Sequence, residues 1–427
     1  MPVKNLILFS IIIISSFGRI YSQSGCTDSL ALNYDINASV NDGSCIYPKK
    51  NIELKLKGIL PDELTETSGL ILMQGDLWTI NDSRHHPEIY QIDTITGTII
   101  RKVYISNSTN IDWEAITADD KYLYIGDFGN NSTGLRDDLK IYKIDYSFIS
   151  RKFTDTVEAE IISFKYEDQV LTGNEIPQRN SGRFDCEAFI AYGDSLHLFT
   201  KDWQNYQTRH YILPAAPGKH TAIFKSEFNV NGLITDAAIS TSGILALCGY
   251  SSNLRRAFIW LFSDFKSKDF FSGNKRYSDA GAVINFFNRS KDAGQLEAIC
   301  FTGPAQGFTS SEIINEKIAG LRIYSAPRFN QFDVNHYISR PEPLKIFTEK
   351  TPDSIKIRWN SSDAEKIKEA FLQRSQNNKV FTDIGKIENP GEDGFYSDNS
   401  SDKNYFYRIK IIKKDGGIIY LFPEEPQ

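Results

Sequence analysis

Five segments of the chain align with one another, and this repeat limits the possible folds more than any other feature. They are "ETSGLILMQGDLWTINDS" from Glu66, "DWEAITADDKYLYIGDFG" from Asp112, "DCEAFIAYGDSLHLFTKD" from Asp185, "TDAAISTSGILALCGYSS" from Thr235 and "QLEAICFTGPAQGFTSSE" from Gln295. Each consists of a short apolar run, a turn signal and a second run. Most lead to a third strand-like run: "EIYQID", "LKIYKID", "RHYILP", "AFIWLF" and "LRIYSA". Spacings of 46, 73, 50 and 60 residues between positions 68, 114, 187, 237 and 297 are too irregular for a solenoid and suit propeller blades with variable outer loops. Abundant aromatic residues (21 Tyr, 28 Phe) and short apolar runs broken by Gly, Asn, Asp and Ser agree with strands throughout. The expected fold is all-β, with a five- or six-bladed β-propeller over 51–338. Five copies are evident, so a sixth blade would lie in 146–180 or 263–293.

The acids of the repeat follow hairpin geometry. Residues facing each other across an antiparallel hairpin have numbers that sum to twice the turn centre. Glu114 and Asp127 centre a turn at Asp120–Lys121, Glu187 and Asp202 at Asp194–Ser195, Ser68 and Asp82 on Gly75, and Glu297 and Glu312 at Pro304–Ala305. Each centre falls on or beside turn-forming residues, so the two acids of a phrase should lie side by side at the end opposite the turn. If these hairpins are innermost in their blades, Asp82, Glu114, Asp127, Glu187, Asp202, Glu297 and Glu312 form a ring of carboxylates on one channel face. The fourth copy carries Ala237 and Gly249 at those places, with Asp236 adjacent, and leaves a gap. Two readings stay open. The acids either accept turn N–H bonds that tie blade to blade, or they repel one another until a cation joins them. A hard divalent ion such as calcium fits the second, as do the counter-ions Arg84 and Arg136. His85 and His86 stand one loop from the ring as accessory candidates.

The flanks differ from the repeat. Lys4 and the run Leu6–Phe17 fit a secretory signal peptide over 1–22, too short to span a bilayer. Cys26 and Cys45 bracket an Asn/Asp-rich unit, 23–50, with too little apolar content to fold alone, and a disulfide is its natural staple in an oxidising compartment. A lipidated Cys26 is the rival reading. Cys186, Cys248 and Cys300 lie in strand-like runs as small buried hydrophobes. A net charge of -6 without a basic stripe argues against nucleic acid and anionic lipid as partners. No apolar run long enough for a transmembrane segment follows the signal. The expected location is secreted or periplasmic, with cell-surface association open.

Three resemblances follow from these residues. "SGLILMQGDLWTINDS" with "NIDWEAIT" and "LYIGDFGNNSTGLRDDLKIYKI" resembles the secreted β-propeller proteins of Bacteroidetes over about 55–330, a group whose motifs imply no particular activity. More distantly the layout is similar to gluconolactonase-like propellers, which implies a channel-bound divalent cation. After Pro341 and Pro343, residues 343–427 resemble a fibronectin type III domain, with Trp359 as its core Trp and Tyr405 at the tyrosine-corner position. No G-x-S-x-G or H-E-x-x-H motif occurs. The leading expectation is a binding or scaffold protein for a small-molecule, glycan or protein ligand. The alternative is a metal-dependent lactonase or phosphoesterase in which Glu114, Glu187 and Glu297 hold the ion, Asp127 or Asp202 is the base, and His85 or His86 assists the leaving group.

Overall fold

The structure is a computed structural model that describes residues 23–253, 255–284, 292–318, 321–337, 344–351, 354–361, 367–376, 381–390, 392–399, 405–413, 418–421 and 423. The expected signal peptide over 1–22 and the linker prolines Pro341 and Pro343 lie outside the described residues. Among the described residues, no helix is long and apolar enough to cross a membrane.

Five four-stranded antiparallel meanders make up the body of the chain. Blade 1 runs through Thr67–Met73, Asp76–Asn81, Glu88–Ile92 and Ile99–Ile105. Blade 2 uses Trp113–Ala118, Tyr122–Asp127, Lys140–Asp145 and Glu160–Tyr166, and blade 3 uses Asp185–Tyr192, Ser195–Lys201, Thr208–Pro214 and Gly218–Phe228. Blade 4 uses Gly232–Ile239, Leu245–Ser251, Arg256–Ser263 and Asn274–Ala282. Blade 5 combines Gln295–Phe301, Gln306–Glu312 and Arg328–Asp333 with the early strand Lys55–Ile59. The N-terminal strand therefore closes the ring by hydrogen bonding to the last blade.

The first strands of successive blades neighbour one another, and that of blade 5 returns to that of blade 1. Among the described residues the propeller thus has five blades. The stretches suspected of hiding a sixth instead supply outer strands: Thr154–Val157 pairs in parallel with the edge of blade 1, Glu160–Tyr166 completes blade 2, and Asn274–Ala282 completes blade 4. In blade 5 the sequence expectation fails in detail. Leu321–Ser325 pairs with Ile314–Ile318 as a separate hairpin, and Arg328–Asp333 takes the third place.

Burial explains why the ring holds. An apolar layer fills each of the five seams, with Trp78 and Trp113 between blades 1 and 2, Phe128 and Phe189 between 2 and 3, and Phe199 and Phe258 between 3 and 4. Ile259 and Ile299 join blades 4 and 5, and Leu70 and Phe329 join blades 5 and 1. Strands buried on both faces read as apolar runs instead of strict alternation, as the repeat does. Cys186, Cys248 and Cys300 are buried free thiols in these layers.

Cys26 and Cys45 form the disulfide, which also occupies the Sγ that lipidation of Cys26 would need. The stapled unit docks on blade 4, where Arg276 meets Asp28 at 2.5 Å and lies over the Tyr47 ring at 3.8 Å. Replacing both cysteines by Ser is expected to destabilise this unit by about 3 kcal/mol through loop-closure entropy. Limited proteolysis should then cut within 23–50 and spare the propeller. Equal resistance in wild type and variant would show the docking contacts to be sufficient.

The C-terminal part is a two-sheet sandwich. Leu344–Lys350, Ile355–Ser361 and Gly394–Asp398 form one sheet, and Thr382–Ile387, Ile367–Ser375, Phe406–Lys413 and Ile418–Leu421 form the other. Trp359 packs in its core with Ile357, Leu372 and Ile409. The buried tyrosine hydroxyl is that of Tyr407, which donates to Asp398 at 2.9 Å, while Tyr405 packs at the edge of the core under Arg374. Tyr420 donates to Asp120, and Arg408 reaches the same carboxylate at 3.3 Å. Asp120 belongs to the inner turn of blade 2, so the sandwich touches the face opposite the acid-bearing strand ends.

Candidate functional site at the acidic channel mouth

A β-bulge interrupts every first strand at the repeat position. In blade 2, Gly126 faces Ala115 and Asp127 faces Trp113, so Glu114 is the extra residue. Glu187, Thr235 and Glu297 are the extra residues of blades 3, 4 and 5, and Ser68 with Gly69 spans the irregularity in blade 1. A bulge leaves its extra residue unpaired and re-aims the side chain. In blades 1 and 4 that side chain is a hydroxyl that bonds the next blade: Ser68 Oγ donates to Glu114 O at 2.6 Å, and Thr235 Oγ1 to Leu296 O at 2.7 Å. In the other three blades it is a glutamate.

The bulges, together with turn centres that lie off the expected ones in blades 1, 3 and 5, overturn the expected acid pairs. Asp127 faces Trp113, and Glu312 faces Gln295. Lys201 faces Asp185, which leaves Asp202 beyond the strand, and Asn81 faces Thr67, which leaves Asp82 beyond it. The fourth repeat also shifts by two residues, because Thr235 and not Ala237 matches Glu187. Asp236 is buried and accepts N–H bonds from Ala237 and Ile299, each at 2.8 Å, tying blade 4 to blade 5.

Two ring candidates are structural acceptors. Asp127 is fully buried, pairs with Arg136 at 3.0 Å and accepts the Asp112 N–H at 3.2 Å. Asp202 accepts from the N–H groups of Gln204 and Asn205 at 2.9 and 3.0 Å. Arg136 braces the loop behind the site, donating also to the Gly129 carbonyl at 2.9 Å. His85 meets Glu66 at 3.0 Å on the rim, His86 is exposed, and Arg84 is exposed with φ 66°.

The remaining candidates converge, joined by residues the sequence reading missed. Oxygens of Asp82, Asp112 and Glu114 all lie within 4.8 Å of one another. Glu187 Oε1 sits 3.1 Å from Lys201 Nζ, and both residues are buried. Gln295 Nε2 donates to Glu297 at 2.7 Å and also to Glu312. Lys201 lies over the Tyr250 ring at 5.3 Å and the Trp203 ring at 5.0 Å. Asp185 holds the neighbouring loops, accepting from Trp203 Nε1 at 2.6 Å and Asn130 N at 2.5 Å. The signal for Asp112 and Asp185 was present in "DWE" and "DCE", where an acid stands two residues before each glutamate. Lys201 stood beside Asp202 in "TKDW".

Burial makes charge costly here. It pushes the Glu114 carboxyl well above its usual range, and the charges of Asp82, Glu187, Asp112 and Asp185 add to the effect. Asp112 is pushed up to about 7 by burial, then by Asp82 and Asp185, against the pull of Arg136. Asp82 rises to about 6, chiefly through burial. Glu297 rises to about 7 by burial, opposed by Lys201. Burial also works against the Lys201 ammonium, yet Glu187, Tyr250, Glu297 and Asp185 hold it charged above its usual range.

A hard cation fits the Asp82–Asp112–Glu114 group on three counts. The donors are carboxylate oxygens at separations that suit an ion binding each at 2.3–2.6 Å. Glu114 is 3% exposed, and its Oε1 has no hydrogen-bond partner among the described residues. Gly129 borders the group so closely that a Cβ there would lie 2.2 Å from Glu114 Oε1 and 2.6 Å from Asp112 Oδ2.

No family model and no curated protein matches the chain. Among solved structures, it is similar to the PQQ-bound aldose sugar dehydrogenase of Streptomyces coelicolor at 12% identity and a TM-score of 0.36, over 67% of this chain and 99% of that one. A gluconolactonase from Xanthomonas campestris is 11% identical with a TM-score of 0.29, over 63% and 72%. A β-fructofuranosidase from Bombyx mori is 8% identical with a TM-score of 0.33, over 88% and 89%. Likenesses this weak carry no argument about activity, and the propeller rests on the strand order and the closed ring of blades.

Proposed function

We propose that the protein is an exported five-bladed propeller whose acidic mouth binds a divalent cation, calcium by the hardness of its donors, and presents it to a ligand. The observation that carries this reading is the buried, unpartnered Glu114 Oε1 beside Asp82 and Asp112. Three carboxylates leave coordination positions of calcium open to water or a ligand. The disulfide supports an oxidising location, secreted or periplasmic. The strand order of the C-terminal sandwich supports a fibronectin type III-like module, and its contact at Asp120 leaves the mouth accessible.

Equilibrium dialysis of the purified chain against millimolar calcium tests the reading. One ion per chain is expected, and a metal-free chain ends it. Gly129→Ala should weaken binding at least tenfold without unfolding the propeller, because its Cβ intrudes on two ligands. Unchanged affinity would place the ion elsewhere.

A hydrolase is the second reading, and Glu297 favours it. A carboxyl poised at about 7 near a cation suits a general base toward bound water, a role that Asp127 and Asp202 cannot take in their structural bonds. Turnover of lactones or phosphate esters that disappears in Glu297→Gln, with calcium binding retained, would establish it. A variant as active as wild type would remove Glu297 from that role.

A further inference from the structure

Equivalent positions at the end of the second strand of each blade, or one residue beyond it, are occupied by Asp82, Phe128, Lys201, Tyr250 and Glu312, each one residue past the partner of the residue that precedes the first-strand bulge. Lys201 thus stands where two other blades place the acids Asp82 and Glu312. Its ammonium is 3.1 Å from Glu187 Oε1 and is flanked by the Trp203 and Tyr250 rings. Glu187 is the repeat counterpart of Glu114, and both are buried. Among the described residues neither Oε1 has a hydrogen-bond partner, but Glu187 has an ammonium of the chain at ion-pair distance, and Glu114 is grouped with the carboxylates of Asp82 and Asp112 instead.

We infer that Lys201 is a tethered counter-ion, which occupies the place of a second bound cation at the mouth and limits the cluster to one divalent ion. This rests on the cation reading of the Asp82–Asp112–Glu114 group. The physical reason is local neutrality: Glu187 with Asp185 and the nearby Glu297 forms a second acidic group, and a buried ammonium offsets it without an exchangeable ion. An ammonium on a flexible stem suits this place, since its point charge needs no bidentate geometry. The flanking rings add cation–π attraction on two sides.

Calcium titration of wild type and Lys201→Met, followed by calorimetry, separates the possibilities. One ion in wild type and two in the variant are expected. One ion in both, at equal affinity, would overturn the role of Lys201 while leaving the cation site intact. No ion in wild type would overturn the cation reading and this inference together. If Lys201→Met is too unstable without calcium for titration, its melting temperature is followed against calcium concentration. The slope of stability against the logarithm of concentration counts the ions taken up on folding. A two-ion slope supports the tethered counter-ion, and a one-ion slope refutes it. Lys201→Arg keeps the charge and should bind a single ion, and two ions there would equally refute it.

Discussion

Glutamine at position 114 is expected to raise the stability of the metal-free protein, whereas glutamine at the equivalent position 187 lowers it sharply. The two residues occupy the same bulge in adjacent blades, so local backbone effects largely cancel in the comparison. Glu114 faces Asp82 and Asp112 with a buried oxygen that has no partner. Glutamine replaces a carboxyl that burial and then its acidic neighbours hold well above its ordinary range, and so removes a penalty on the order of 1 kcal/mol or more. Burial pushes the Glu187 carboxyl up as well, but here the ammonium of the buried Lys201, 3.1 Å away, opposes the push and makes it an ion-pair partner. Its neutralisation strands that ammonium, a change that typically costs about 3–5 kcal/mol.

Calcium should add a second contrast. At a hundredfold excess over its dissociation constant it stabilises wild type by about 2.7 kcal/mol, and Glu114→Gln should abolish that shift. Thermal melts of both variants, with and without calcium, read all four values. A loss of several kcal/mol in metal-free Glu114→Gln would make Glu114 a structural acceptor and end the binding-site reading.

The second large effect is a dependence on pH in the absence of calcium. Asp112 has an ordinary value of 3.8 and stands at about 7 in the folded chain, Asp82 at about 6 and Glu297 at about 7. Below about pH 4 these carboxyls are protonated in both states, and no difference arises. Between about 4 and 7 the unfolded chain releases its protons while the folded chain keeps them. The native state then binds more protons, so stability falls as pH rises and levels off above about 7. At 1.36 kcal/mol per pKa unit, Asp112 alone contributes a few kcal/mol of this fall.

The buried His197–His210 pair tilts the other way. Burial lowers His197 to about 3 and His210 well below its ordinary value of 6.5, so both oppose protonation and withdraw stability as pH drops below about 6.5. The difference between wild type and Asp112→Asn isolates the carboxyl contribution. The variant is expected to gain on wild type steadily from pH 4 to 7, and saturating calcium should erase the gain. A pH-independent difference would mean that Asp112 is ionised throughout.

Much of this molecule is legible in its sequence because hairpins are local. Apolar run, turn and apolar run recur five times, and a turn such as Gln74–Gly75, with both residues at positive φ, is specified by neighbours in the chain. The same locality exposed Glu114, Glu187 and Glu297 as equivalent residues, and the Cys26–Cys45 staple as a bridge over a short loop. What the sequence hid depends on partners that are remote in the chain. A bulge inserts one residue on one strand only, and nothing in "DWEAI" marks the extra residue until the opposite strand is in place. For that reason the facing pair of blade 2 failed by one residue, and in blades 1, 3 and 5, where the turn centres also lie off the expected ones, the pairs failed by more; Asp127 and Asp202 turned into structural acceptors, and the fourth repeat was aligned two residues late. Lys201 and Tyr250 entered the site for a related reason. Only closure of five blades brings residues so far apart in sequence around one axis, where Lys201 pairs with Glu187 while Glu114 gathers with Asp82 and Asp112.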